Sequence, residues 1–241
     1  MNTTICKLTT ICIFAGTLAY AGTEFDTSLN LGLTLTEGNS ETIHGNAAIV
    51  SRGILTPATR LRLALEASYG DSKIDGQTQT TVENIRGSAG LQHDISKRWY
   101  AALNTAGLYD DIAEIDYRVI LGPAIGGYLI RRDNLNLTAE VGPSYIWERV
   151  SKDSDDYLAV RISERLEYQL SETAEIWQSA EYLPKADDFE DFLLNAEVGI
   201  SAAMTTRVQL RMVLQLAHDS TPGSDLEKND FTLISGLGIQ L

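Results

Sequence analysis

Arg60, Arg62, Arg86, Arg118, Arg161, Arg165 and Arg211 share one phase of alternating segments with Glu66, Glu140, Glu148, Glu167, Glu175, Glu181 and Glu197. Seven cations and seven anions on the same faces form a nearly neutral set suited to ion pairing. The planar guanidinium can engage a carboxylate through two hydrogen bonds, which fits partly buried pairs. Such a set could tie a closed interior together. It could equally line a narrow, water-filled passage and act on ions or polar solutes crossing it. Covalent chemistry is less well provided for. His44, His93 and His218 lie at strand ends or near turns and form no HExxH or other metal-ligand spacing. His218-Asp219-Ser220 holds triad residue types, but neighbours on a strand cannot all point at one another, and a triad is defined by geometry. The expectation is no catalytic residue, no metal and no cofactor.

Carboxylates also cluster in three places: Asp110, Asp111, Glu114 and Asp116; Asp153, Asp155 and Asp156; Asp187, Asp188, Glu190 and Asp191. Carboxylate oxygens are the ligands of calcium and magnesium, but none of these runs has the ordered spacing and glycine of an EF-hand loop. Diffuse attraction of cations is the chemistry expected of them. GPAIGGY (122–128) lacks the strand-to-helix setting of a phosphate loop, and glycine in a strand more often lets bulky neighbours pack closely.

What must position these residues is a set of strands. LAVRISERLEYQL (158–170) alternates apolar with polar residues, so a strand there has one oily and one charged face. The same period divides the chain into twelve segments near 26–36, 42–52, 59–69, 80–93, 98–109, 116–130, 134–149, 157–170, 174–184, 192–203, 207–218 and 230–241. Their lengths match a tilted crossing of a bilayer, which takes about 9–11 residues. The connections alternate. DISKR, RRDN, SETA and MTTR are tight and RGILTPAT somewhat longer, whereas GDSKIDGQTQ, DDIAEID, SKDSDD, KADDFEDF and DSTPGSDLEKN are long and acidic; EGNSE is a short exception. Short turns on one side and longer loops on the other are the habit of outer-membrane barrels, in which the apolar face looks outward at lipid. With the apolar phase outward, Tyr69, Tyr109, Tyr117, Tyr145, Trp147, Tyr182, Phe192 and Phe231 fall at the long-loop end and Trp99 at the other, an interfacial aromatic girdle. Glu164 and Gln178 break the oily faces of their strands and stand against this assignment.

Lys7, the apolar LTTICIFAGTL and Ala19-Tyr20-Ala21 read as a cleaved signal peptide over 1–21, leaving a barrel domain over 22–241 outside the cytoplasm. Cys6 and Cys12 lie in the removed segment, so disulfides and thiolate chemistry are excluded from the remainder. That remainder carries 18 basic and 33 acidic residues, a net −15, which makes nucleic acid an unsuitable partner. Partners expected instead are outer-membrane lipid and lipopolysaccharide, the barrel-assembly machinery during insertion, and small ions or solutes.

SLNLGLTLTEGNSETIHGNAAI, with Gly38-Asn39-Ser40-Glu41-Thr42 at its turn, resembles the opening of the salt-induced outer membrane protein family, which is defined by a domain of unknown function. GPAIGGYLI, LNLTAEVGPSYIWE and DYLAVRISERLEYQLSE resemble the strands that follow in that family, in the same order. The resemblance covers nearly all of 22–241. It implies an outer-membrane β-barrel without established activity, tied to salt or osmotic stress, and supplies no catalytic residues. One departure is the terminus: many such barrels finish in an aromatic residue, whereas this chain finishes in Leu241. The fold expected is a twelve-stranded antiparallel transmembrane barrel, serving as a narrow charge-lined pore or a structural barrel. A soluble periplasmic barrel holding an apolar ligand, and a barrel-wall lipid hydrolase, are the alternatives.

Overall fold

A computed structural model describes residues 24–36, 41–74, 77–223 and 226–241; the expected signal peptide over 1–21 lies outside them. The strands are β1 (Glu24–Thr36), β2 (Glu41–Thr56), β3 (Thr59–Ile74), β4 (Gln77–Asp94), β5 (Trp99–Asp110), β6 (Ile115–Arg132), β7 (Leu135–Val150), β8 (Asp153–Gln169), β9 (Ala174–Pro184), β10 (Phe192–Ala203), β11 (Val208–Asp219) and β12 (Asn229–Gln240). Each pairs antiparallel with the next, and β12 returns to β1, closing the sheet into a barrel with no free edge. The expected twelve-stranded antiparallel barrel is the fold observed. Closure rests on five residue pairs, Ser28–Gly32 against Gly236–Gln240. A Cβ on Gly236 would fall on the Leu31 carbonyl, so the seam requires glycine there.

Alternation decides which way each side chain points. Leu31, Leu63, Leu65, Val141, Ile162, Leu210 and Leu214 stand exposed on the outer surface, while Asn30, Asn46, Ser68, Arg118, Ser144 and Ser201 are buried on the opposite phase. A soluble barrel with an apolar ligand inside would need the reverse arrangement. Not all of the interior is polar, however. Ile146, Ala159, Leu183 and Leu193 form a buried cluster, with Ile120 and Tyr157 packed against it, and a second cluster joins Tyr100, Ala102 and Ala124.

The strands run from 11 to 18 residues and exceed the expected limits mainly at the acidic end. Of GDSKIDGQTQ, residues 70–74 continue β3 and residues 77–79 open β4. SKDSDD is mostly strand as well: β7 and β8 meet at Ser151-Lys152, whose φ values of 49° and 75° give a two-residue turn matched to strand twist. RGILTPAT also shrinks, since β2 and β3 meet at Pro57-Ala58. The physical reason is common to the first two. Beyond an apolar belt both faces of a hairpin are wet, so polar residues continue the ladder without any alternation to betray it. Among the described residues, longer connections remain at 111–114, 185–191, 220–223 and 226–228.

The two residues that spoiled the oily faces belong together. Gln178 Nε2 donates a hydrogen bond to Glu164, from the strand next door. Gln178→Leu alone should therefore strand a carboxylate on the apolar face and cost about 1–3 kcal/mol, whereas adding Glu164→Leu should restore most of that loss. Urea unfolding of the lipid-refolded variants reads the difference; additive penalties would contradict the pairing.

Candidate functional site

The barrel encloses a cavity of about 1850 Å³. Its wall includes Arg60, Arg131, Arg132 and Asn136 beside the short turns and Asp110, Ala113, Gly223 and Glu227 beside the loops, so it reaches both ends. Of the residues expected inside, Arg60, Arg62, Glu66, Arg86, Arg118, Glu140, Arg161, Arg165, Glu167, Glu181 and Glu197 line it. Arg211 lines an adjoining chamber of about 180 Å³, and Glu148 is reached through Arg118.

These charges do not form a uniform neutral lining. On the β6–β9 wall Arg161 and Arg118 each have two acids. Arg161 donates from Nη1 to Glu140 (2.7 Å) and from Nε to Glu181 (2.5 Å). Arg118 donates from Nε to Glu148 on the neighbouring β7 and from Nη2 to Asp219 (2.9 Å) on β11, five strands round the barrel. That second bond crosses the lumen near the loop end. At the turn end Arg60 forks onto Asp94 at 3.0–3.1 Å, Tyr128 and Gln92 share the same carboxylate, and Arg131 lies 4.2 Å above the Tyr128 ring.

The opposite wall is different. Whereas Arg165 on β8 is bonded to Glu167 (2.8 Å), Arg62, Arg86 and Arg211 make no ion pair among the described residues. The acids beside them are occupied by neutral donors. Glu66 accepts from Asn46 (2.9 Å), and Glu197 accepts from Trp177 Nε1 (2.6 Å) and Gln215 (3.3 Å). Arg211 lies over the Trp177 ring at 4.6 Å. The indole is flat on the wall because its cross-strand neighbour is Gly199; a Cβ there would strike the ring. Tyr100 occupies Gly126 in the same way.

Several lumen residues were not expected. Asp94 and Asp219 are the last residues of their strands and sat inside stretches that read as turn and loop. Arg52 pairs directly across from Arg62. Asn30, Asn46 and Asn104 are neutral, so a search for charge passes over them; Asn104 donates to Glu140 (3.1 Å). Trp177 had a signal available, since Gln178 beside it faces outward.

The girdle residues all lie on the outward phase. Tyr69, Tyr117, Trp147 and Phe231 are exposed at the loop end and Trp99 at the turn end, where Tyr168 joins it. Tyr145 packs on Trp147 (4.7 Å between centroids), and Phe192 is sandwiched between Tyr182 and His218 (5.1 Å each). Tyr109 donates to Asp111 (3.3 Å). The acidic residues find separate partners: Asp116 with Arg149, Asp156 with Tyr145, and Asp155 and Asp191 with Lys185. Burial works against the Lys185 ammonium, yet the Asp155 hydrogen bond and the charges of Asp155, Asp191 and Asp187 outweigh it and raise its pKa above the ordinary lysine value. His93 and His218 bond Thr59 (2.9 Å) and Asn229 (2.8 Å).

Residues 29–241 match the family described as a protein of unknown function, DUF481. The chain belongs to the DUF481 family. Among curated proteins none matches it. Solved structures resemble this DUF481 barrel at low identity: a NanC porin (TM-score 0.54, 8% identity, 90% of this chain and 100% of the other) and an outer membrane channel from Pseudomonas putida F1 (0.52, 11%, 91% and 95%). The translocator domain of the autotransporter NalP from Neisseria meningitidis is similar too (0.51, 14%, 91% and 88%). The DUF481 chain thus has the fold of outer-membrane β-barrels.

Proposed function

We propose that this DUF481 chain is exported through a cleaved signal peptide and inserted in a Gram-negative-type outer membrane as a narrow, charge-lined pore for small ions or polar solutes. The observation that carries the reading is a cavity that reaches both ends of the barrel, walled by charged side chains. The porin and the outer membrane channel among its structural neighbours agree with it. An apolar exterior suits lipid, and rings at both rims suit the two interfaces, with lipopolysaccharide against the outer one. The barrel-assembly machinery would act on the chain during insertion. A role in salt or osmotic stress belongs to the proposal through the family resemblance, and no catalytic step does.

Purified protein in planar bilayers should give discrete conductance steps, and the unboiled protein should migrate differently from the boiled one on gels. Silence across a range of salt concentrations would leave a structural barrel, the reading favoured by the Arg118–Asp219 bond across the lumen and by the apolar cluster around Ile146.

A further inference from the structure

Beside the main lumen, the chamber of about 180 Å³ lies against the wall made by β10, β11, β12 and β1–β4, astride the seam where the barrel closes. We propose that this chamber binds a small oxyanion, a carboxylate or phosphate group. Its lining includes Asn30, Arg62, Glu66, Arg86, Glu197 and Arg211.

Three guanidiniums face two carboxylates, and the acids are already engaged by Asn46, Trp177 and Gln215. The two acids offset part of the arginine charge, so the lining keeps a net excess of one cation whose fork is not taken up by an ion pair. Arg62 feels Arg52 and Arg165 as like charges, opposed by Glu167 and Glu197. A guanidinium offers five donors in a planar fork that matches carboxylate and phosphate oxygens. Nε of Arg211 is buried with no protein partner, while the Trp177 ring holds the group in place. Asn30 adds the sharpest sign. It is 7% exposed, and both its amide nitrogen and its amide oxygen lack a protein partner. Buried polar groups are nearly always satisfied, and an unmet one marks an unfilled role. The amide nitrogen would donate to the oxyanion, and the amide oxygen would accept from a hydroxyl carried on the same molecule.

The chemistry also selects against cations, which the opposite wall attracts instead, since Arg118 and Arg161 there are each outnumbered by two acids. The site's consequence for permeation rests on the channel reading; its ligand chemistry does not.

The test uses full-length protein refolded in detergent, titrated with inorganic phosphate and separately with acetate against a chloride background of constant ionic strength. Saturable heat with phosphate or acetate, absent with added chloride, is expected. Replacing Arg62→Gln or Arg211→Gln removes a charge-assisted hydrogen bond and should weaken binding about tenfold each. Asn30→Asp keeps every arginine but sets a carboxylate where the anion would lie, and should weaken it similarly. Retention of the heat-dependent gel shift shows that each variant folds, and if the arginine variants fail this check Asn30→Asp carries the test alone. No saturable binding by wild type, or variants that fold and bind like wild type, would overturn the site. In bilayers, phosphate should reduce wild-type chloride conductance and affect Asn30→Asp less. Binding without any conductance would support the site while defeating the channel, and conductance without phosphate binding would do the opposite.

Discussion

Leu65→Arg should prevent recovery of the folded barrel from lipid vesicles, while Leu65→Phe folds normally. Leu65 lies on β3 between Leu61 and the rim residue Tyr69, paired with Ile49 on one side and Gly87 on the other, and is 52% exposed on the outer surface. If hydrocarbon covers it, an arginine near the bilayer midplane costs about 2–4 kcal/mol. If water covers it, the same change exchanges one exposed side chain for another and falls within about 0.5 kcal/mol. The sign of the experiment is thus set by the solvent and not by the fold. The yield of heat-shifted protein after refolding into vesicles reads it, and a full yield of Leu65→Arg would remove lipid from the account. A lumen position one residue away serves as the contrast. Glu66→Gln retains its contact with Asn46 and should leave the yield unchanged.

The sequence made some of this legible and hid the rest for definite reasons. Strand number and phase were readable because the two faces of every strand differ in polarity, and Leu61, Leu63 and Leu65 against Arg60, Arg62 and Glu66 carry that contrast residue by residue. Strand ends were not readable where both faces meet the same solvent, which is why the β3–β4 and β7–β8 hairpins run further than the pattern suggests. The inward charges followed from phase alone. Their partners did not, because pairing across a lumen depends on closure: Arg118 and Asp219 are 101 residues apart in sequence, and nothing local links them. Closure also explains why the interior divides into an acidic and a basic wall. A list of charges gives their sum, whereas the barrel sets which of them face each other. Glu164 and Gln178 show the same limit at short range, each a defect when read singly and a hydrogen-bonded pair once β8 and β9 are in register.

Arg118→Ala should both destabilise the barrel and raise its conductance, and the two effects can be separated. The side chain is 9% exposed and ties Glu148 on β7 to Asp219 on β11. Removing it leaves two carboxylates facing one another without a counter-charge, a loss of about 3–5 kcal/mol for a buried pair, with a lumen that admits water placing it at the lower end. The same change deletes the strut that crosses the mouth of the cavity, so the surviving folded protein should pass larger current steps than wild type. Asp219→Asn distinguishes the causes. It preserves the oxygen that accepts from the Thr221 amide (3.0 Å) and leaves Arg118 paired with Glu148, but it weakens the bond across the lumen. Its stability penalty should therefore be smaller than that of Arg118→Ala, while part of the conductance increase remains. Equal current steps in all three proteins would mean that the narrowest point lies elsewhere, and the apolar cluster of Ile120, Ile146, Leu183 and Leu193 would then be the place to widen.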